Sequence, residues 1–148
     1  MPVSVRDGYE EAVMFLFTDG DDILIEHRPE SDGGHTFIPN GSIEQRDKQG
    51  TTDYRIAALH REVSEEFANR VTVEGVTELC EHRVENPALW FYCYAVTDWT
   101  GTVPEYTVED GERFADLEWV PLADYDTYLE LGSARAACRA LLDADSVA

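Results

Sequence analysis

Short apolar runs separated by polar turns fill the N-terminal part of the chain and predict β-strands. The run at 11–18, Glu-Ala-Val-Met-Phe-Leu-Phe-Thr, is typical of a buried strand. A polar Asp-Gly-Asp-Asp turn at 19–22 leads into a second, paired strand at 23–28. A Gly-containing loop at 29–35 and a short extended piece at 36–39 follow. The pattern therefore predicts a pair of strands ahead of the first helix.

A helical periodicity replaces the strand pattern in the middle of the chain. One face, spaced i, i+3, i+4, i+7 and i+11, is apolar apart from a single histidine. Its members are Ile56, Leu59, His60, Val63 and Phe67. This spacing predicts a helix from Thr52 or Asp53 to Phe67, and either residue at its start is a good N-cap.

The C-terminal half returns to strands and then changes to helices. Strands are predicted at 71–84 and 89–97. The second strand places one set of side chains on each face: Trp90, Tyr92 and Tyr94 on one, and Phe91, Cys93 and Ala95 on the other. The remaining segments are predicted as a loop at 99–111, a strand at 112–120, and helices at 122–131 and 133–143. Strands combined with a central helix and C-terminal helices indicate one α/β domain over residues 1–148.

The charge of the chain is strongly acidic and excludes several classes of partner. The formal net charge is −20, and lysine occurs once, as Lys48. Nucleic acids and anionic membranes bind basic surfaces, so neither is an expected partner. Self-repulsion of this size destabilises a compact state until salt screens it, and the Debye length falls to about 3 Å at 1 M salt. We therefore expect a salt-loving source organism, with an acidic mesophilic protein as the alternative.

Two further features bear on the compartment in which the chain works. The longest apolar run, at 12–17, is far shorter than the roughly 18 residues of a membrane-spanning helix, and the N-terminus does not resemble a signal peptide. Cys80, Cys93 and Cys138 lie far apart in sequence, without the spacing of a zinc site or a redox motif. The sequence predicts free thiols in a cytoplasmic protein.

A stripe of glutamates on the predicted helix is the strongest chemical signal. Glu62, Glu65 and Glu66 are related as i, i+3 and i+4, so they share one side of the helix, where like charges repel. Mg²⁺, with Mn²⁺ as an alternative, binds such carboxylates and bridges them to phosphates. In so acidic a chain, the same run also fits an ordinary solvated face. Its neighbours decide between the two interpretations.

The residues around this stripe resemble the box of the Nudix hydrolase family (MutT-like). That box runs Gly, five residues, Glu, seven residues, Arg-Glu, an apolar residue, any residue, Glu-Glu, any residue, Gly, apolar. Gly41 stands at the opening Gly, Asp53 at the first Glu with the seven-residue gap, and 61–66 match the Arg-Glu and Glu-Glu elements. The resemblance implies an α/β/α sandwich built on a central mixed β-sheet.

The chain departs from the family box in four places. Asn40 replaces the first Gly of the family's Pro-Gly-Gly turn, and Asp53 replaces Glu. About six extra residues, 45–50, lengthen the loop after Gly41, which costs little free energy. Ala68 and Asn69 replace the closing Gly and apolar residue. None of these changes removes a carboxylate of the glutamate stripe.

The resemblance implies Mg²⁺-dependent hydrolysis of the pyrophosphate bond of a nucleoside diphosphate linked to another moiety, such as a nucleotide, an ADP-ribose-like compound or a nucleotide sugar. Glu62, Glu65 and Glu66 would hold the metal, and Glu65 would also polarise the attacking water. Arg61 would fix a carboxylate or, alternatively, form an ordinary surface ion pair. A fourth ligand is expected from Glu109, Asp110 and Glu112, with Glu112 preferred because it opens a strand.

Substrate contacts are expected from small, aromatic and basic residues. Gly41 would let the backbone approach the phosphates, although it also fits an ordinary turn. Stacking on a base is predicted for Phe37, Trp90 and Tyr92, with packing in the core as the alternative. Contact with phosphate is predicted for Arg28 and Arg55.

Two alternatives to catalysis of this kind belong to other functional classes. One is a non-catalytic, nucleotide-sensing binding module, which the altered loop and helix exit favour. The other, isopentenyl diphosphate isomerisation, is disfavoured because no Thr-x-x-Cys-Cys-Ser-His-Pro-like segment occurs. The segment at 84–87, where family subclasses often differ, indicates no particular substrate, and a homodimer is compatible with the family.

Overall fold

A computed structural model describes residues 2–50 and 53–147, with side chains up to residue 144. Its strands are β1 (Val5–Arg6), β2 (Tyr9–Asp19), β3 (Asp22–His27), β4 (Thr36–Phe37), β5 (Asn40–Ser42), β6 (Val71–Val84), β7 (Leu89–Gly101), β8 (Tyr106–Glu109) and β9 (Glu112–Pro121). Its α-helices are α1 (Tyr54–Glu66), α2 (Tyr125–Tyr128) and α3 (Gly132–Val147).

The strands form one mixed sheet with helices on both of its faces. The strand order is β6-β7-β2-β3-β9-β8, and β2 pairs in parallel with β7 while the other strand pairs are antiparallel. Short strands β1 and β5 pair with the first half of β2, and β4 pairs with β3. This confirms the α/β/α sandwich with a central mixed sheet.

Alternation along the central strands places a separate core on each face of the sheet. On β2, Val13, Phe15 and Phe17 pack with the buried side of α1, while Ala12, Met14 and Leu16 pack with α3. The predicted alternation on β7 is confirmed, because Trp90, Tyr92 and Tyr94 belong to the α1 core and Phe91, Cys93 and Ala95 to the α3 core.

Helix α1 forms as its sequence predicts, with one correction to its buried face. Asp53 is the N-cap, and its side chain accepts a hydrogen bond from the Arg55 backbone N–H; the alternative cap, Thr52, lies outside the described residues. Leu59, Val63 and Phe67 are buried. His60 is exposed, so its place on the apolar face was wrong; Ala58 and Glu62 are buried instead.

The segment after α1 reverses direction through two residues with left-handed backbone. Ala68 has a φ of 51° and Asn69 a φ of 59°. Asparagine tolerates this region better than other residues that carry a Cβ, whereas alanine does not share this tolerance. The Asn69 backbone N–H donates to the Ser64 carbonyl oxygen at 2.9 Å, which closes the end of the helix.

Two predicted boundaries in the C-terminal half were wrong. The segment 99–111 is not a loop, because β7 continues to Gly101 and β8 forms a hairpin with β9. The helix predicted at 122–131 is a 3₁₀ turn (Leu122–Asp124) followed by the four-residue α2, whose C-cap Leu129 is extended. In the described part of the chain, none of the helices has the length and apolarity needed to cross a membrane.

Candidate active site

An open cleft of about 870 Å³ lies beside α1, β5 and the β8–β9 hairpin. This volume is within the range that holds a nucleotide-sized ligand. Of the described residues that line it, seven are acidic and one is basic: Asp32, Glu44, Glu62, Glu65, Glu66, Glu109 and Asp110 with Arg28. A cleft of this composition repels a phosphate unless cations accompany it.

Gly41 on β5 is where the helix approaches the strand most closely. A Cβ at this position would overlap the carboxyl group of Glu62, which lies directly against the β5 backbone. Glu62 is 8% exposed, and burial raises the pKa of its carboxyl to about 7, with Arg61 partly opposing the shift. Gly41 is therefore required by a close approach to a carboxylate and not by a turn.

Glu66 presents a buried carboxylate oxygen with no protein partner. Its Oε2 is inaccessible and accepts no hydrogen bond from the described residues. Burial, followed by repulsion from the carboxylates of Glu26 and Glu62, raises its pKa well above the usual range. A buried carboxylate without a donor costs free energy, so this position fits a proton or a bound cation.

Arg28 is held in the cleft by two acidic residues. Its Nε donates to Glu26 Oε2 at 2.7 Å and its Nη1 to Asp32 Oδ2 at 3.2 Å. Glu26 is 1% exposed, and burial raises the pKa of its carboxyl against the opposing effect of Arg28. Glu26 was not predicted as a site residue, and its position within a β-strand explains why the sequence pattern missed it.

Arg61 links α1 to the loop that follows β5. Its Nε and Nη2 each donate to a different carboxylate oxygen of Asp47 at 2.8 Å, and Nη2 also donates to the Ser42 carbonyl at 2.9 Å. Its Nη1 donates to Glu62 Oε1 at 3.0 Å and Glu65 Oε2 at 3.1 Å. Arg61 therefore fixes two of the three stripe carboxylates and is not an ordinary surface ion pair.

Asp47 is an acidic residue at the spacing from Gly41 that the box gives to its first Glu. It follows Gly41 after five residues and lies in the 3₁₀ turn Gln45–Lys48, where its carboxylate also accepts the Glu44 backbone N–H at 2.8 Å. Burial would raise the pKa of Asp47, but the hydrogen bonds from Arg61 and that backbone group lower it. These contacts favour Asp47 over Asp53 as the match to the first acidic residue of the box, with the extra residues after it, while Asp53 caps the helix.

Replacing Asp47 with Asn is expected to lower both stability and turnover. The change removes a charge from a partly buried pair, so we expect the free energy of unfolding to fall by about 1–3 kcal/mol. Turnover should fall roughly 10- to 100-fold, because Arg61 would no longer be held beside Glu62 and Glu65. Denaturant unfolding and kcat measure the two effects. Asp53→Asn is the matched control, because Asn caps a helix equally well; equal losses in both variants would contradict the role of Asp47.

Four predicted substrate-binding residues do not reach the cleft. Phe37 is buried against Phe91, with ring centroids 5.9 Å apart. Trp90 and Tyr92 are buried near the start of α1, where the Tyr92 hydroxyl donates to Glu11 Oε2 and Trp90 donates to Glu81 Oε1. Arg55 lies over the Tyr92 ring at 5.1 Å. The structure therefore shows the alternative for Phe37, Trp90 and Tyr92, which is packing in the core.

The β8–β9 hairpin brings acidic residues to the cleft, but not Glu112, which the sequence analysis preferred as the fourth metal ligand. Glu109 and Asp110 line the cleft, whereas Glu112 is exposed beyond the turn and is not among the lining residues. Phe114, on the same hairpin, lines the cleft with the Arg28 guanidinium 5.9 Å from its ring centroid. Glu109 and Asp110 both replace Glu112 as candidates for the fourth acidic ligand, and Glu109 is preferred because its charge acts on the Glu66 carboxyl. Phe114 is the one aromatic residue among the described lining residues.

The carboxylates of the stripe share the cleft but do not converge on one point. Among the described residues, no three acidic, histidine or cysteine side chains have the arrangement of a formed metal site. The cause is visible in the contacts, because Arg61 binds Glu62 and Glu65, and Arg46 Nη2 donates to Glu65 Oε1 at 3.3 Å. The unpartnered Oε2 of Glu66 and the Glu62 carboxyl group, which lies against Gly41, nevertheless fit a hard divalent cation, because such a cation binds carboxylate oxygens.

Comparisons with solved structures agree with this fold. The MutT NUDIX hydrolase from Burkholderia pseudomallei is 21% identical, with a TM-score of 0.67 over 87% of this chain and 95% of that one. A structure from work on MutT of Aliivibrio salmonicida and Vibrio cholerae is 23% identical, with a TM-score of 0.66 over 90% of this chain and 97% of that one.

The NUDIX domain of Shewanella oneidensis NrtR, complexed with ADP ribose, is 16% identical, with a TM-score of 0.63 over 91% of this chain and 87% of that one. A comparison with curated protein sequences found no match. The family model described as the NUDIX domain matches residues 8–140. Since that match spans most of the chain and includes both the glutamate stripe and Gly41, the chain belongs to the Nudix hydrolase family.

Proposed function

We propose that this protein hydrolyses the pyrophosphate bond of a nucleoside diphosphate linked to another moiety, with Mg²⁺ or Mn²⁺ as cofactor. The observation that carries the proposal is the buried, unpartnered Oε2 of Glu66, which lies in the same acidic cleft as Glu62 and Glu65. An anionic substrate enters such a cleft only with cations, so metal and phosphate would bind together.

Glu62, Glu65 and Glu66 would hold the metal, with Glu109 as the proposed fourth ligand. Mg²⁺ bound there would neutralise phosphate oxygens and align the attacking water. Glu65 is the candidate to accept a proton from that water, because its side chain is half-exposed and free of the core. Before it bound the metal, Glu65 would have to lose the hydrogen bonds that it accepts from Arg46 and Arg61.

The remaining groups of the cleft would bind and orient the substrate. Arg28, held by Glu26 and Asp32, presents the one guanidinium among the described lining residues and is proposed to contact a phosphate. Phe114 is proposed to contact the base or sugar. Phe114 lies on β9, and Arg28 directly follows β3 and is held by two carboxylates, so both need little reorganisation on binding.

A nucleotide-sensing module without turnover is the second candidate. The observation that favours it is the engagement of Glu62 and Glu65 by Arg61 and of Glu65 by Arg46, which competes with a metal. The similar Shewanella oneidensis domain is described in complex with ADP ribose. Ligand binding without product would distinguish this function from hydrolysis.

The test is a substrate panel with and without metal. The protein is incubated in high salt with Mg²⁺ or Mn²⁺ and with nucleoside triphosphates, ADP-ribose, nucleotide sugars and dinucleoside polyphosphates, and products are resolved by chromatography. We expect metal-dependent release of a nucleoside monophosphate from at least one compound. Tight binding across the panel without any product would instead support the sensing module.

We further propose that the protein works in a cytoplasm of high ionic strength. With a net charge of −20, unfolding relieves self-repulsion, and salt removes that driving force. The melting temperature is therefore expected to rise steadily between about 0.01 M and 2 M KCl. A melting temperature that is flat or falls with KCl would contradict this proposal.

A homodimer also stays a prediction, and size-exclusion chromatography would test it.

A further inference from the structure

The three cysteines, distant in sequence, meet on the face of the sheet that α3 covers. Cys80 on β6 and Cys93 on β7 are direct partners across the antiparallel ladder. Cys93 and Cys138 are buried in the α3 core, and Cys80 packs against the same cluster. All three are free thiols.

The pairing of Cys80 with Cys93 brings the two sulfur atoms together. Directly opposed residues in an antiparallel pair have Cβ atoms about 4.5–5.5 Å apart, and a disulfide needs about 3.5–4.5 Å. Both side chains pack on the α3 face of the sheet, and the two thiols shift each other's pKa. A register irregularity between Glu78 and Cys80 interrupts the ladder beside the pair, so a small adjustment there breaks few hydrogen bonds.

The three thiols differ in accessibility and in acidity. Cys80 is partly exposed, and the hydrogen bond from Cys93 lowers the pKa of its thiol against the opposing effect of burial. The hydrogen bond to Cys80 and burial raise the pKa of Cys93, and burial raises that of Cys138 to about 12. Cys80 is therefore the thiol that meets a dissolved reagent first, as its thiolate.

We propose that Cys80 and Cys93 form a thiol-modification site, which a small dissolved disulfide converts into a cross-strand disulfide. The Cys80 thiolate attacks one sulfur of the reagent, forms a mixed disulfide and expels one thiolate, which takes up a proton. Cys93 loses its proton to solvent and attacks the Cys80 sulfur, so the second reagent thiol leaves. Two protein thiols are oxidised by two electrons, and one reagent disulfide is reduced to two thiols.

Cys138 is not the partner in this reaction. It approaches from a helix and is not a ladder partner of either strand cysteine, whereas Cys93 lies directly opposite Cys80. The cysteines pack on the α3 side of the sheet, whereas α1 packs on the other side. The modification site is therefore separate from the acidic cleft beside α1 and from the proposed hydrolysis.

The test uses 2-hydroxyethyl disulfide, because a neutral reagent is not repelled by the acidic protein. The whole chain is incubated with it, excess reagent is removed, and intact mass and peptide mapping identify the linked cysteines. We expect the wild type to lose two hydrogens and to yield a Cys80–Cys93 cross-linked peptide. The matched control Cys138→Ser should give the same cross-link at a similar rate.

Two further variants separate the steps. Cys93→Ser should stop at a hydroxyethylthio adduct on Cys80, and Cys80→Ser should react at least roughly tenfold more slowly at every site. A wild type that keeps the Cys80 adduct to the same extent as Cys93→Ser, or a cross-link that contains Cys138, would overturn the proposal. If Cys93→Ser fails to fold by circular dichroism, the wild type and Cys138→Ser still decide it.

Discussion

Replacing Glu66 with Gln is expected to lower kcat at least about 100-fold, equivalent to about 2.7 kcal/mol of activation free energy. The two side chains have the same shape, so the buried packing is kept while the carboxylate, whose Oε2 accepts no hydrogen bond from the described residues, is removed. Glu65→Gln should have an effect of similar size, because Glu65 is both a proposed metal ligand and the proposed base. Steady-state kinetics at saturating Mg²⁺ measures both effects.

The control for this pair is Glu130→Gln, which removes the same charge at an exposed position outside the cleft. It should leave kcat unchanged and show that the loss does not follow from net charge alone. The melting temperature of Glu66→Gln should be equal to or above that of the wild type, since a buried carboxylate becomes a neutral amide. Turnover within a few-fold of wild type in both Glu65→Gln and Glu66→Gln would reject their proposed roles.

Gly41→Ala is expected to lower turnover roughly 10- to 100-fold through its effect on Glu62. The added methyl group would occupy the space that the Glu62 carboxyl group now fills, so Glu62 must move away from β5 or the strand must shift. Either movement displaces a metal ligand while leaving the charge of the cleft intact. The kcat and the apparent affinity for Mg²⁺ should therefore worsen together.

Gly132→Ala is the matched control for this substitution. Gly132 opens α3, its Cβ would meet no atom within 4 Å, and its φ is not in the left-handed region. Alanine is also a better helix former than glycine, so this variant should be as stable as the wild type or more stable. If Gly41→Ala retained full turnover, Glu62 would not need its place against the β5 backbone.

The fold could be predicted largely from the sequence because its elements have strong local patterns. Alternation on 89–97 and the helical spacing around Leu59 and Val63 both indicate which side is buried. The hairpin of β8 and β9 was missed although Asp110-Gly111 is a strong hairpin signal. Its strands are short and partly exposed, so hydrophobic periodicity is weak there.

The part of the site on one helix could be predicted most directly, although the candidates Gly41, Arg28 and Glu109 also line the cleft. Glu62, Glu65 and Glu66 follow from helical spacing, whereas Glu26 lies near Glu66, and Asp47 binds Arg61, only because distant segments fold together. Asp47 could have been found, because five residues separate it from Gly41 as in the box, but counting back from Arg61 gave Asp53 instead. The base-stacking predictions did not reach the cleft for a general reason: aromatic residues on a central strand are usually core residues.

The most direct test of the account is calorimetric titration of Mg²⁺ into the protein at high KCl, at pH 6 and pH 8. We predict binding that is tighter at pH 8 and that releases protons, because Glu62, with a pKa of about 7, and Glu66, with a raised pKa, must lose protons to bind metal. Glu66→Gln should bind Mg²⁺ more weakly at both pH values. No Mg²⁺ uptake by the wild type at either pH, even with a nonhydrolysable nucleotide present, would contradict the account.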